Sequence, residues 1–232
     1  MILPTVILPG YFAGWRDYTP LSQLLQQQGI PTAIVPLVKR DWLPTVGGRS
    51  MVPILRVLHQ TVEQILAKEG GGQVNLIGHS AGGWIGRIYL GEQPYCIHGD
   101  VDKHANLWGH HSRIATLVTL GTPHSSGERW TRKNLDFVNQ NYPGAFYPDV
   151  SYVCVAGKAV YGERRLQNWF TYSSYQLTCG HGQCWGDGIT PIVAAHLTGA
   201  HNLTIEGAMH SPSASLWYGS PQLFPRWGAY LR

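Results

Sequence analysis

The run Gly78-His79-Ser80-Ala81-Gly82 fits the pattern G-x-S-x-G, in which a serine sits on a tight turn between a strand and a helix. A serine hydroxyl is a weak nucleophile by itself. Attack on a carbonyl carbon, with a covalent intermediate, therefore requires a base to take its proton and a carboxylate to orient that base. The five-residue pattern alone is weak evidence, because Gly and Ser are common. Its setting makes it specific: residues 73–77 read as a buried strand through Val74, Leu76 and Ile77, and residues 84–90 read as the helix that follows. Glycines at 78 and 82 let strand and helix approach closely around a strained Ser80 backbone.

Eleven histidines could supply the base, so position has to select among them. In nucleophile elbows of this kind the chain order is Ser, then Asp or Glu, then His. His210, in Gly207-Ala208-Met209-His210-Ser211-Pro212, follows the last strand candidate and is the predicted base. His201 immediately precedes that strand and His196 lies on the preceding helical stretch, which suits packing or solvent. Asp187, flanked by Gly186 and Gly188, is the predicted acid, since a tight turn there can aim its carboxylate inward. Glu206 is the rival, being close to His210, whereas Asp149 precedes its strand and would emerge at the wrong end. The oxyanion of a tetrahedral intermediate needs donors placed in advance. The N–H of Ala81, directly after the nucleophile, and that of Tyr11, in the turn Leu8-Pro9-Gly10-Tyr11, are the predicted pair.

These groups need a scaffold, and the hydrophobic pattern describes one. Strands are expected at 5–8, 34–37, 73–77, 114–120, 152–155 and 203–205, alternating with helices. Thr19 reads as an N-cap before Pro20, and Ser50 precedes a long amphipathic helix carrying Met51, Ile54, Leu55, Leu58, Val62, Ile65 and Leu66. The expected fold is α/β, a mostly parallel sheet with helices on both faces, in one domain spanning 1–232. Two long connections, 124–150 and 158–186, are rich in aromatics and are read as a cap over the serine.

Charged residues make up only 13% of the chain, against about a quarter in an ordinary domain, while Trp and Tyr number nine and twelve. That balance suits an apolar substrate as well as a well-packed core. The net charge of +4 is spread without blocks, so neither nucleic acid nor an anionic membrane surface is indicated as a partner. The opening residues show no basic n-region, no stretch approaches the ~18 apolar residues of a membrane helix, and four cysteines suit reduced thiols; a soluble, cytosolic protein is expected. Cys179-Gly180-His181-Gly182-Gln183-Cys184, and the loop with His98, Asp100, Asp102, His104, His110 and His111, lack the paired spacing of a strong zinc motif. No metal is expected at either, and Cys179 and Cys184 read as free thiols with a disulfide as the alternative.

Taken together, Pro9-Gly10-Tyr11, Gly78 to Gly83, Leu120-Gly121-Thr122-Pro123-His124, Gly186-Asp187-Gly188 and Glu206 to His210 resemble the serine lipases and lipase-like acyl hydrolases of the α/β-hydrolase superfamily. Small bacterial lipases and lipase-like proteins of the GPI-inositol-deacylase type are the relatives this resemblance points to. It implies an α/β-hydrolase fold with a minimal core lacking the first strands, and a cap formed by long loops. It also implies Ser80 as nucleophile, Asp187 as acid, His210 as base, and Tyr11 and Ala81 as oxyanion donors. Tyr11, Phe12, His79, Trp169 and Phe170 are the expected substrate-binding residues. The activity implied is cleavage of lipid-like carboxylic esters without a cofactor, with transient contact with membrane lipid. An acyl-thioesterase or acyltransferase would use the same residues, and a binding protein on the same fold would lack catalysis. The chain departs from the lipase pattern at Pro9, where such lipases often carry His.

Overall fold

A computed structural model describes residues 2–98 and 108–232. Six parallel strands build one sheet in the order β2-β1-β3-β4-β5-β8. In chain order they are β1 (Thr5–Leu8), β2 (Thr32–Ile34), β3 (Val74–His79), β4 (Ile114–Leu120), β5 (Ser151–Lys158) and, after a two-residue antiparallel pair β6 (Val160–Tyr161) and β7 (Trp185–Gly186), β8 (His201–Glu206). The helices are α1 (Thr19–Gln27), α2 (Val52–Lys68), α3 (Ala81–Leu90), α4 (Arg129–Asn141), α5 (Trp169–Cys179), α6 (Ile192–Ala195) and α7 (Pro225–Gly228).

Side chains alternate across the sheet with the period of two that a strand imposes. Val6, Leu8, Val74, Leu76, Tyr152 and Cys154 join one buried cluster with α2 and α3. Ile7, Ile77, Val153, Val155 and Ile205 join the other with α1 and the C-terminal Trp217, Tyr218 and Trp227. Both faces are covered, so every residue of β1, β3 and β4 is buried, and apolar residues predominate in them. The edge strands β2 and β8 are only partly covered. Helix α3, wedged against the sheet, buries all ten of its residues.

Local differences from the expected elements have local causes. The second strand covers Thr32–Ile34 rather than 34–37, because Pro36 has no N–H to donate to the ladder; Val35 N–H to Ile7 O, at 2.9 Å, is the last rung. Thr19 is the first residue of α1 rather than its cap, since a 3-10 turn at Trp15–Tyr18 runs directly into the helix. The two aromatic connections are not bare loops. The first contains α4, whose polar sequence buries only Asn134, Leu135 and Val138, and the second contains α5, whose aromatics are not confined to one face. Helix α5 shows no apolar stripe of the kind by which helices are recognised in sequence, and α4 confines its few apolar residues, Leu135 and Val138 among them, to one face of a polar run.

Candidate active site

Strand β3 ends at His79 and α3 begins at Ala81, which leaves Ser80 alone on the turn with φ 52° and ψ −123°. Only Ser80 and Phe12 among the described non-glycine residues have a positive φ. Such strain persists where surrounding structure enforces it. The enforcement is visible at Gly78, where a Cβ would lie 2.5 Å from backbone atoms of Gly82 and Gly83. Ser80 N–H donates to Leu120 O at 2.9 Å, anchoring the turn to the end of β4. The N–H groups of Ala81, at the positive end of α3, and of Tyr11 donate to no acceptor among the described residues. Gly10 lies against the serine, since a Cβ there would come within 2.9 Å of Ser80 Cβ.

Asp187 is buried, and each carboxylate oxygen accepts two hydrogen bonds. Oδ1 accepts from the N–H of Ile189 at 3.0 Å and of Thr190 at 2.7 Å. Oδ2 accepts from His210 Nδ1 at 2.8 Å and from the Tyr218 hydroxyl at 2.6 Å. Burial alone would raise this carboxyl's pKa; the attraction of His210 and the bonds from His210, Tyr218 and Thr190 outweigh it and hold the pKa below its ordinary value. A left-handed glycine makes the room: Gly121 has φ 56°, and a Cβ there would sit 2.5 Å from Asp187 Oδ2. With Nδ1 donating to a carboxylate, His210 carries its basic lone pair on Nε2. The His210 N–H also donates to Asp187 O at 3.0 Å, so the pair is tied through backbone as well as side chain.

Among the described residues the Ser80 hydroxyl makes no hydrogen bond, so the expected link from Ser80 to His210 is not formed in this structure. Such bonds are often long before a substrate complex forms. What does connect the two segments is His79. Gly10 N–H donates to the Tyr18 oxygen at 2.9 Å, and Tyr18 Oη lies 2.7 Å from His79 Nδ1. His79 Nε2 lies 2.9 Å from His210 O. A carbonyl can only accept, so Nε2–H donates to His210 O. Burial, reinforced by the neighbouring His210 imidazole, pushes the His79 pKa down to about 3, and the neutral ring then accepts the Tyr18 O–H at Nδ1. Its expected role in substrate binding does not fit this placement, because the ring is 3% exposed with both nitrogens engaged.

The serine opens on a cleft of about 510 Å³ lined by Tyr11, Phe12 and Trp84 near the elbow, by Trp130 and Thr131 of α4, and by Phe170 and other residues of α5. On α5, Phe170, Ser173, Ser174, Leu177 and Thr178 recur at helical spacing on the face turned to the cleft. Trp169 does not line it; it is exposed and stacks on Tyr172. The lining is mixed rather than purely apolar, with Ser126, Glu128 and several hydroxyls beside the aromatics.

The rival groups lie elsewhere. Glu206 points to solvent and pairs with Lys158 at 2.9 Å. Asp149 pairs with His111 at 3.0 Å before β5 begins. His196 meets Thr204, and exposed His201 lies tilted against the Tyr230 ring. Tyr218, which donates to the acid, was not singled out in the sequence; it is one of twelve tyrosines and 31 residues from its partner, with no motif to mark it. Of the histidine- and aspartate-rich loop, Asp100, Asp102 and His104 lie outside the described residues. No helix among the described residues is long and apolar enough to cross a membrane.

No protein-family model matches the chain, and no curated protein aligns with it significantly. Among solved structures, the lin2722 gene product of Listeria innocua superposes on 99% of this chain and 94% of its own with a TM-score of 0.51 at 14% identity. An alpha-beta serine hydrolase homologue from Coxiella burnetii covers 90% of this chain and 77% of its own, with a TM-score of 0.49 at 13% identity. An esterase from Exiguobacterium antarcticum covers 55% of this chain and 41% of its own, at a TM-score of 0.32 and 15% identity. Sequence identities this low bear on architecture and not on substrate. Six parallel strands, a strained serine between β3 and α3, and the likeness along nearly the whole chain give this protein the α/β-hydrolase fold.

Proposed function

We propose that the protein is a serine hydrolase that cleaves carboxylic esters of lipid-like substrates through an acyl-enzyme. The observation that carries this reading is the strained Ser80, open to a cleft, with a buried Asp187 bonded to His210 and His210 lying against His79, the residue before the serine. In the proposed sequence, Ser80 Oγ attacks the ester carbonyl carbon while its proton passes to His210 Nε2. The carbonyl oxygen takes the negative charge and is met by the N–H groups of Ala81 and Tyr11. Collapse of this intermediate breaks the bond to the alcohol oxygen, which leaves with the proton from His210. Water then attacks the acyl carbon while giving a proton to the same nitrogen, and collapse of the second intermediate breaks the bond to Ser80 Oγ, which takes that proton back from His210 as the acid leaves. Asp187 stays ionised throughout and stabilises the imidazolium that forms twice per turnover.

The cap reading supplies the substrate class. Segments 124–150 and 158–186 contribute α4 and α5 to the cleft, and the exposed Phe12, Trp130, Phe170 and Leu177 offer apolar area to an acyl chain, the hydroxyls between them a place for a polar group. The test is a fluorophosphonate probe with adduct mapping by mass, followed by an ester panel of increasing acyl length that includes thioesters. Labelling of Ser80, absent in Ser80→Ala, with turnover rising with chain length, is the expected result. An adduct on another serine, or none, would remove the nucleophile assignment, and turnover confined to thioesters would replace the reaction class. Labelling of Ser80 with no turnover of any ester would indicate a binding protein on a hydrolase fold.

A further inference from the structure

The loop from the end of α5 to β7 carries a donor cluster that the hydrolytic reading does not use. Cys179, His181 and Cys184 bring their ligand atoms within 4.8 Å of one another. Cys179 Sγ lies 3.8 Å from His181 Nδ1 and 4.0 Å from Nε2. Both thiols point at one acceptor, the carbonyl of His181, at 3.2 Å from Cys179 and 3.6 Å from Cys184. In tetrahedral zinc sites the bonds are about 2.3 Å to sulfur and about 2.0 Å to nitrogen, which places the ligand atoms roughly 3.5–4 Å apart. The separations here, none above 4.8 Å, lie within about 1 Å of that figure.

The loop is also held in shape. α5 closes on Gly180 in the left-handed region, with φ 85°. Gly182 packs against α5 so tightly that a Cβ would run into the Tyr172 ring and lie 2.6 Å from Tyr172 O. Gly162 N–H donates to Cys184 O at 2.9 Å, fixing the other end beside β6. The donors sit at the carbonyl end of an eleven-residue helix, where the helix dipole favours a cation. The thiols are half-buried and the imidazole is exposed, so an ion has access from solvent.

We propose that Cys179, His181 and Cys184 bind one thiophilic divalent ion, with zinc the ion that two thiolates and an imidazole suit, and solvent at the fourth position. The site is a clasp. It joins the end of α5, whose Leu177 and Thr178 line the cleft, to the segment Cys184-Trp185-Gly186 that leads into Asp187. Binding releases the two thiol protons to solvent and changes no oxidation state.

Reduced, chelator-treated protein titrated with cobalt(II) tests the site directly. One equivalent should give a sulfur-to-cobalt charge-transfer band, and zinc should displace it. Cys184→Ser and His181→Ala should weaken cobalt binding at least tenfold, and the triple variant Cys179→Ser/His181→Ala/Cys184→Ser should abolish the band. Zinc should raise the melting temperature of the native chain and not that of the triple variant, which circular dichroism should show folded. No charge-transfer band, binding only at millimolar metal, an equal band in the triple variant, or thiols recovered only as a Cys179–Cys184 disulfide after incubation with zinc would each overturn the proposal. None of these readouts depends on ester hydrolysis.

Discussion

Asp187 and His79 show how much of the proposed chemistry is set by groups that never touch substrate. Asp187 accepts four hydrogen bonds while buried, so its charge is held ready for the imidazolium. Asp187→Asn should lower kcat by about 10⁴-fold with KM little changed, because the wrong His210 tautomer is then favoured; an unchanged kcat would exclude Asp187 as the acid. Tyr218→Phe removes one charge-assisted bond and should cost about 1.5–3 kcal/mol of stability by urea unfolding. His79 acts through its neighbour, bridging Tyr18 and the His210 carbonyl. His79→Leu should lower kcat by up to roughly 10²-fold, the order a sub-ångström to 1 Å misplacement brings. His79→Gln, which retains a donor for His210 O, should recover most of that loss. Equal losses in the two variants, or a rise in KM instead, would show that the ring contacts substrate after all.

At the scale of elements, the elbow depends on how closely α3 approaches β3. Gly78→Ala would place a methyl group 2.5 Å from the Gly82 and Gly83 backbone, which cannot swing aside like a flexible side chain. It should cost about 1–3 kcal/mol or more by denaturant unfolding and displace Ser80 enough to abolish labelling. A fully labelled, fully stable Gly78→Ala would mean that the turn relaxes without loss. The cleft wall offers a paired test, since α5 presents Phe170 to the cleft and Trp169 to solvent. Phe170→Ser should flatten the dependence of KM on acyl length, worth up to about 0.8 kcal/mol per buried methylene, while Trp169→Ser should leave it intact. Equal loss on acetate and long-chain esters in Phe170→Ser would indicate that α5 supports the fold rather than the acyl chain.

The whole molecule keeps two buried histidines neutral, and this sets its response to acid. Burial lowers the pKa of His79 to about 3 and, with the adjacent Arg87 guanidinium, holds that of His124 well below its ordinary value. In the unfolded chain both groups take up a proton near pH 6.5, whereas the folded protein resists it. A folded pKa below the unfolded one contributes stability that is complete above about pH 6.5 and declines as pH falls toward the folded value, at up to about 1.4 kcal/mol per pH unit for each group. Unfolding in urea at pH 7 and pH 5 should show this decline, and His79→Gln should reduce it. A flat profile between those pH values would contradict a neutral, buried His79. The elements of the sheet and the elbow were legible in the amino-acid order, because β3, β4 and α3 are local patterns of apolar spacing and glycine that need no distant partner to be read. Asp187 and His210, singled out by chain order and by the turn residues around each, are joined by a 2.8 Å hydrogen bond, while their catalytic roles belong to the proposal. Three features were decided only by tertiary structure: the Tyr218 bond to Asp187, the His79 bridge, and the convergence of Cys179, His181 and Cys184. The first two join residues dozens of positions apart, and the third depends on how the end of α5 folds back on itself. Helix α5 was hidden for a related reason: what it buries and exposes is set by the cleft beside it, not by a repeat along its own sequence, whereas in α4 a one-sided apolar pattern is present but narrow within a polar run.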